Sequence, residues 1–110
     1  NPERDLCRTS AVEMLFHTFF MTDFHAEDAA RQLHLSKRQL DRVIRRRFGM
    51  SFREVMTEYR MQAACKMLTG SELCAEEIGY AVGYNNKSAF YAAFRRKYGM
   101  TPMQYRNTQK

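Results

Sequence analysis

A segment of eight residues occurs twice in this chain, 50 positions apart. RRRFGMSF occupies residues 45–52 and RRKYGMTP occupies residues 95–102. The match continues towards the N-terminus, to Lys37 and Lys87 at an offset of 50 and to Ala29 and Ile78 at an offset of 49. Two copies are too few for a solenoid, in which many repeats stack on one another. We therefore predict a small domain built from two similar units.

Each copy of the repeated segment ends one helix and begins another. Gly49 and Gly99 follow apolar patterns of helical period, and glycine readily adopts the left-handed conformation that ends many helices. Residues 51–54 (SFRE) and 101–104 (TPMQ) then have the pattern of a capping box, in which the first and last side chains each bond the other's backbone amide. The repeat therefore predicts a basic helix, a turn on glycine and a new helix.

A short apolar helix and a tight turn precede each basic helix. The short helices are predicted over residues 26–33 and 75–82. The first basic helix is predicted to follow a capping box at residues 36–39 (SKRQ), and the second to begin at Asn85 or Asn86. A short helix, a turn of a few residues and a helix with a basic outer face form a helix-turn-helix.

The inward side of each helix is predicted from its apolar positions. Ala30 and Gly79 are small where the first helix of each unit must approach the second closely. In the basic helices we expect these residues to face inward: Leu40, Val43, Ile44, Arg47 and Phe48, and then Ala89, Phe90, Ala93, Phe94 and Tyr98.

A broad apolar stripe over residues 52–69, before Gly70, predicts a central helix shared by both units. Its stripe includes positions 52, 55, 56, 59, 63 and 67, widened by Met61, Ala64, Cys65 and Leu68. At 1.5 Å per residue the helix spans roughly 27 Å. That length suits two recognition helices about one DNA turn, roughly 34 Å, apart.

The predicted fold class is all-α, with seven helices in one domain. It consists of two homeodomain-like three-helix subdomains, at about residues 10–50 and 71–107, joined by a long helix at about residues 52–69. No stretch alternates apolar and polar residues for long enough to predict a strand.

The positive charge lies in the repeated part of the chain. The net charge is +6, but residues 1–35 have three basic and six acidic residues (net −3), whereas residues 36–110 have fifteen and six (net +9). A basic surface attracts polyanions, most commonly nucleic acid. Charge alone also fits a solvated face that keeps the protein soluble.

Other classes of protein find little support in the residues. Cys7, Cys65 and Cys74 are scattered and no CxxC or HxxxH spacing occurs, so we expect a reducing cytoplasm and neither a metal nor another cofactor. No catalytic set or phosphate-binding glycine loop stands out, so an enzyme is not expected. The apolar runs are too short for a membrane span. The polar start, without Met, suggests no signal peptide and a piece of a longer protein.

Three segments near the C-terminus resemble the AraC/XylS family of transcription regulators. Residues 77–84 (EIGYAVGY), 88–96 (SAFYAAFRR) and 98–106 (YGMTPMQYR) are similar, in order, to that family's "IA..VGF", "YF...FKK" and "G.TP..YR". Residues 60–68 (RMQAACKML) are similar to its "R...A..LL". The resemblance covers roughly residues 10–107.

The resemblance implies a bacterial regulator that binds double-stranded DNA, with both second helices in successive major-groove segments. It implies an asymmetric site of about 20 base pairs, a cytoplasmic, nucleoid-associated protein, contact with RNA polymerase, and a separate sensing or dimerising domain that this chain lacks. A binder without sequence preference, acting architecturally, and a protein-interaction domain are the alternatives.

Carried over position by position, the resemblance assigns two sets of DNA-binding residues. The first set is Ser36, Lys37, Arg38, Asp41, Arg42, Arg45 and Arg46; the second set is Asn86, Lys87, Ser88, Tyr91, Ala92, Arg95 and Arg96. Arg38 and Arg42 lie one turn apart and could each bind a guanine edge. Asp41 could pair with Lys37 or Arg45 on its own helix, or accept from cytosine.

The second helix-turn-helix unit departs from the family's pattern at two positions. Ala92 stands where members often have a polar or basic residue, and Gly79 stands where they usually have alanine. We expect the second helix to position the protein more than it discriminates between bases.

Overall fold

A computed structural model describes the backbone of residues 2–108 and the side chains of residues 11–108. Within this part of the chain the secondary structure is entirely helical, which confirms the predicted class. The seven helices are α1 (Pro2–Phe19), α2 (Ala26–Gln32), α3 (Lys37–Phe48), α4 (Phe52–Gly70), α5 (Ala75–Ala81), α6 (Lys87–Tyr98) and α7 (Pro102–Thr108). The side chain of Cys7 lies outside the described residues.

The chain divides into two compact units, Asn1–Tyr59 and Arg60–Lys110. Each has its own apolar core. The first core consists of Val12, Phe16, Phe24, Ala29, Ala30, Leu40, Ile44, Val55 and Met56. The second consists of Met61, Ala64, Leu68, Ile78, Val82, Phe90 and Phe94. Because α4 contributes to both lists, one continuous helix supplies side chains to each unit.

In the second half of α4 the most buried positions are three that were predicted only to widen the stripe. Met61, Ala64 and Leu68 are fully buried, whereas Ala63 and Met67 are only half-buried. The stripe of the first half does not continue, because the second core packs on the face that carries positions 61, 64 and 68. These three positions follow the i, i+3, i+7 spacing of one helical face.

The predicted punctuation between helices is confirmed at both copies. Gly49 and Gly99 have left-handed backbones, with φ of 70° and 73°. The Glu54 amide donates to Ser51 Oγ at 3.2 Å, and the Ser51 amide donates to Glu54 Oε1 at 3.3 Å. In the box at residues 101–104 the Gln104 amide donates to Thr101 Oγ1 at 3.2 Å, and the Thr101 amide donates to Gln104 Oε1 at 2.9 Å. Each repeat therefore ends one helix and fixes the start of the next.

The two helix-turn-helix turns share one backbone path. The Leu35 amide donates to the Ala30 carbonyl at 2.9 Å, and the Tyr84 amide donates to the Gly79 carbonyl at 3.0 Å. His34 and Gly83, which are equivalent positions, both have positive φ. The short helices end one residue before the predicted bounds, because residues 33 and 82 cap them with non-helical backbones.

Polar side chains cap both basic helices at their N-termini. Ser36 Oγ accepts from the Gln39 amide at 3.1 Å, and Gln39 Oε1 accepts from the Ser36 amide at 2.9 Å. In α6, Asn86 Oδ1 accepts from the Ala89 amide at 2.8 Å, which decides between the two asparagines predicted as caps. The start of α3 was therefore predicted correctly, and the start of α6 was predicted to within one residue.

The inward faces of the basic helices follow the prediction with two exceptions. Leu40, Ile44, Phe90 and Phe94 are buried as expected, and Val43, Phe48, Ala93 and Tyr98 are half-buried. Ala89 and Arg47 are exposed, so their predicted inward positions are wrong. Each precedes an inward-facing aromatic residue by one position, which places it about 100° around the helix.

Arg106, for which no role was predicted, connects α7 to the end of α4. Arg106 Nε donates to the Leu68 carbonyl at 2.8 Å, and its Nη2 donates to the carbonyls of Ser71 and Leu73 at 3.3 and 2.6 Å. These acceptors lie in the last turn of α4 and the segment that follows it. Since the last carbonyls of a helix have no partner within it, Arg106 supplies what the end of α4 lacks.

Gly79 allows α5 and α6 to pack closely. A Cβ added to Gly79 would lie 2.9 Å from two ring atoms of Phe90 and 3.0 Å from its Cβ. Phe90 is fully buried, so a shift of its ring would disturb the surrounding core. The equivalent pair in the first unit is Ala30 and Leu40, so a larger helical residue there accompanies a smaller partner. The close packing against Phe90 therefore explains a glycine at this position, although glycine has a low helix propensity.

We expect Gly79→Ala to destabilise the second unit. Overpacking of a core costs about 1–3 kcal/mol, against a gain of about 1 kcal/mol in helix propensity, so the free energy of unfolding should fall by up to about 2 kcal/mol. Gly70→Ala is the control, because an added Cβ there would meet nothing within 4 Å. Urea denaturation measures both, and equal stability of the two variants would contradict the packing account.

A second core change sharpens this test. Phe90→Leu alone should be destabilising, since it shortens a buried side chain. In the Gly79→Ala background it should cost less, because the pair would then match Ala30 and Leu40 of the first unit. Purely additive losses in the double-mutant cycle would show that residues 79 and 90 do not conflict.

Ser36 is expected to stabilise the protein as a cap, whatever else it contacts. Ser36→Ala should lower the free energy of unfolding by about 1 kcal/mol. Ser88→Ala is the matched control, because Ser88 is exposed in the first turn of α6 and does not cap it. Thermal or urea unfolding should separate the two variants; an unchanged stability of Ser36→Ala would remove the capping role.

Candidate nucleic-acid interface

The first candidate surface is the outer face of α3. Lys37, Arg38, Arg42, Arg45 and Arg46 are all exposed. The opposite side is fixed by Leu40 and Ile44, which are 1% and 0% exposed. Because burial of those two side chains sets the rotation of the helix about its axis, the basic face is held towards solvent.

Carboxylates of described residues hold Lys37 and Arg45 on this face. Lys37 Nζ donates to Glu27 Oε1 of α2 at 2.8 Å. Arg45 Nε donates to both carboxylate oxygens of Asp41, at 2.9 and 3.1 Å. Asp41 therefore makes the intrahelical pair with Arg45, whereas Lys37 pairs with another helix. The hydrogen bond from Lys37 lowers the pKa of Glu27 below its ordinary value.

Arg38 and Arg42 differ from their neighbours. They are exposed, one helical turn apart, and among the residues whose side chains are described neither has an ion-pair partner. Arg47, by contrast, pairs with Glu13 of α1 and lies with its guanidinium 5.4 Å from the Phe48 ring. The two arginines at the centre of the face are therefore available to a ligand.

The second candidate surface is the outer face of α6. Lys87, Ser88, Ala92, Arg95 and Arg96 are exposed. Their helix is oriented by Phe90 and Phe94, both 0% exposed. Lys87 Nζ lies 5.2 Å above the centre of the Tyr91 ring.

Tyr91 and Asn86 are partly engaged in the fold. Tyr91 is half-buried against the second core, with its ring centre 6.1 Å from that of Phe90. Asn86 uses its side-chain oxygen to cap α6. Both were expected from the family pattern to face the groove. Tyr91 therefore presents less of its side chain than an exposed residue would, because α6 turns its ring towards Phe90.

The two faces carry the same cations around different centres. At an offset of 50, Lys37, Arg45 and Arg46 correspond to Lys87, Arg95 and Arg96. Arg38 and Arg42, however, correspond to Ser88 and Ala92. The cations at the ends of the face are thus repeated, whereas the two long side chains in the middle are present only on α3.

Neither a metal-binding group nor a membrane span is found in the described part of the chain. Its histidines, cysteines and carboxylates form no group that could hold a metal ion. Cys65 is half-buried, and Cys74 lies at the start of α5. Among the residues searched, no helix has both the length and the apolar character needed to cross a membrane.

Comparison with known proteins places these features in a family. The model of the helix-turn-helix domain family matches residues 29–108. The urease operon transcriptional activator of Escherichia coli is 35% identical over 83 residues, which are 76% of this chain and 28% of that protein. The chain therefore spans little more than a quarter of that activator's length. Relatives of this kind are regulators, in agreement with the prediction of a non-enzymatic function.

Solved structures agree in fold. The C-terminal domain of AraT, a response regulator from Geobacillus stearothermophilus, is 32% identical with a TM-score of 0.88, covering 92% of this chain and 84% of that one. The DNA-binding domain of AdpA, solved with a target DNA, is 24% identical with a TM-score of 0.84 and covers 92% of this chain and 90% of that one; at that identity the likeness shows the fold alone. By the family match and the seven-helix arrangement, the chain belongs to the AraC/XylS-type helix-turn-helix domain family.

Proposed function

We propose that this chain binds double-stranded DNA with sequence preference, with the outer faces of α3 and α6 in the major groove. The observation that carries the proposal is the repeated exposed set of Lys37, Arg45 and Arg46 on one helix and Lys87, Arg95 and Arg96 on the other. Both helices are long enough for a groove and are capped at the end where recognition helices meet bases. Family membership supports the same function.

Arg38 and Arg42 are the proposed base-reading residues of α3. Each guanidinium can donate two parallel hydrogen bonds to O6 and N7 of a guanine. Their exposure and lack of described carboxylate partners leave these donors available. Asp41 lies between them but accepts from Arg45, so it contributes to base reading only if that pair opens.

The repeated cations are the proposed phosphate contacts. Lys37 and Lys87 lie at the first position of their helices, where backbone amides also attract phosphate. Ser36 and Asn86 immediately precede these lysines, and their side chains cap the two helices. Arg45, Arg46, Arg95 and Arg96 lie in the last turns. Contacts of this kind fix register on the duplex and carry no sequence information.

The second helix is proposed to discriminate less than the first. Ser88 offers one short hydroxyl, and Ala92 offers only apolar contact, for example with a thymine methyl group. Tyr91 is half-buried, which leaves part of its ring for the groove. The protein would then read an asymmetric site of about 20 base pairs in which one half carries most of the preference.

The wider assignment rests on the family. We propose helix-turn-helix subdomains at about residues 10–50 and 71–107, in a bacterial transcription regulator acting in the cytoplasm at the nucleoid. A sensing or dimerising domain in the remainder of the full-length protein and contact with RNA polymerase complete the proposal. The urease operon relative is named as an activator, which favours activation here.

Selection of bound sequences from random duplex DNA, followed by salt titration, tests the proposed function. Two unlike half-sites about 10 base pairs apart are expected. With about six phosphate contacts, log K should fall against log salt with a slope near −5. Salt-dependent binding without enriched sequences would replace the proposal with an architectural binder, and absence of binding would refute it.

Arg42→Ala and Arg95→Ala should have different effects on DNA binding. Arg42→Ala should cost about 1–3 kcal/mol on the selected site and relax preference at one base pair. Arg95→Ala should weaken binding to all sequences alike and reduce the salt slope by about 1. Competition binding against single-base variants measures both, and a uniform loss for Arg42→Ala would contradict its base-reading role.

A further inference from the structure

One ion pair joins the two helices of the first helix-turn-helix and has no counterpart in the second. Lys37 is the first residue of α3, and its Nζ lies 2.8 Å from Oε1 of Glu27, the second residue of α2. The side chains of Lys37 and Glu27 are 65% and 56% exposed, so the pair lies at the protein surface beside the start of α3. The Glu27 carboxylate binds the Lys37 ammonium group, which is the same group that a phosphate oxygen of DNA would bind.

The second unit has the same residue types without the pair. Glu76 is the second residue of α5 and Lys87 is the first residue of α6. The segment between them is longer by one residue, since ten positions separate Glu27 from Lys37 and eleven separate Glu76 from Lys87. Lys87 instead lies over the Tyr91 ring, and Glu76 has no ion-pair partner among the described residues.

We propose that Glu27 lowers the affinity of the first unit for DNA by holding Lys37 away from the phosphate backbone. Lys37 then contacts DNA only when the pair opens, whereas Lys87 is not opposed in this way. This inference rests on the proposed function and assigns Glu27 a regulatory role in it. The lowered pKa of Glu27 agrees with a carboxylate that stays ionised beside the lysine.

The expected size of the effect follows from the charges. Release of Lys37 to one phosphate should add about 0.9 to the magnitude of the salt slope, which at physiological salt is about a fivefold gain in affinity. Surface ion pairs are weak and are screened by salt, so the gain should not be larger. Because phosphate carries no sequence information, selected and random duplexes should gain alike.

Glu27→Gln is the direct test, and Glu76→Gln is its matched control. Both glutamates are exposed, both follow an alanine at the start of a seven-residue helix, and both changes remove one negative charge. Equilibrium binding of the chain to a random-sequence duplex, titrated with salt, gives affinity and slope. Glu27→Gln should tighten binding about fivefold with a steeper slope, and Glu76→Gln should tighten it much less. Equal gains would overturn the proposal, since only net charge would then matter.

A double-mutant cycle with Lys37→Gln identifies the route. The gain from Glu27→Gln should disappear when Lys37 is replaced. If Glu27→Gln still tightens binding in the Lys37→Gln background, Glu27 repels DNA directly. If Glu27→Gln alone weakens binding, Glu27 positions Lys37 for DNA. Either result overturns the proposal. Thermal unfolding of each variant confirms that the compared proteins are folded. If the unaltered chain fails to bind any duplex, the proposed function itself has failed, whereas binding with equal variants refutes only this inference.

Discussion

Burial of a few side chains on each basic helix determines everything that the outer faces can do. Leu40 and Ile44 in the first unit, and Phe90 and Phe94 in the second, are at most 1% exposed. A helix with two such residues one turn apart cannot rotate about its axis without exposing them. The positions on the opposite side of each helix, such as Arg38 and Arg42 on α3 and Ser88 and Ala92 on α6, are therefore held towards solvent, and their chemistry can vary without affecting the core.

The repeat preserves the scaffold and varies the surface. Stop signals, caps and turn hydrogen bonds recur at equivalent positions, including a positive φ at His34 and Gly83. In the second unit Phe90 packs against Gly79, whereas in the first unit the smaller Leu40 occurs with the larger Ala30. On the outer faces the end cations are kept, while Arg38 and Arg42 are replaced by serine and alanine. Two exposed faces of the same form and different chemistry result, and we propose that both contact DNA.

Much of this fold could be predicted from sequence because the decisive signals are local. Capping boxes and left-handed glycines act within four residues, so the bounds predicted for α2, α4 and α5 were correct to one residue. The exposed positions of Ala89 and Arg47 were missed because a broad apolar pattern does not define the edge of a buried face. Arg106 was missed for another reason: its three carbonyl acceptors lie more than 30 positions away, and no spacing in the sequence brings them together. The Lys37–Glu27 pair likewise depends on the turn geometry between two helices.

We propose that Arg38 and Arg42 make the first unit the more discriminating one on a repeated scaffold. The most direct measurement replaces them by their counterparts, Arg38→Ser with Arg42→Ala, and repeats selection from random duplex DNA. We expect base preference in one half-site to be lost and base preference in the other to be retained. The free energy of unfolding should be unchanged within about 0.5 kcal/mol. Retention of both half-site preferences would contradict the proposal.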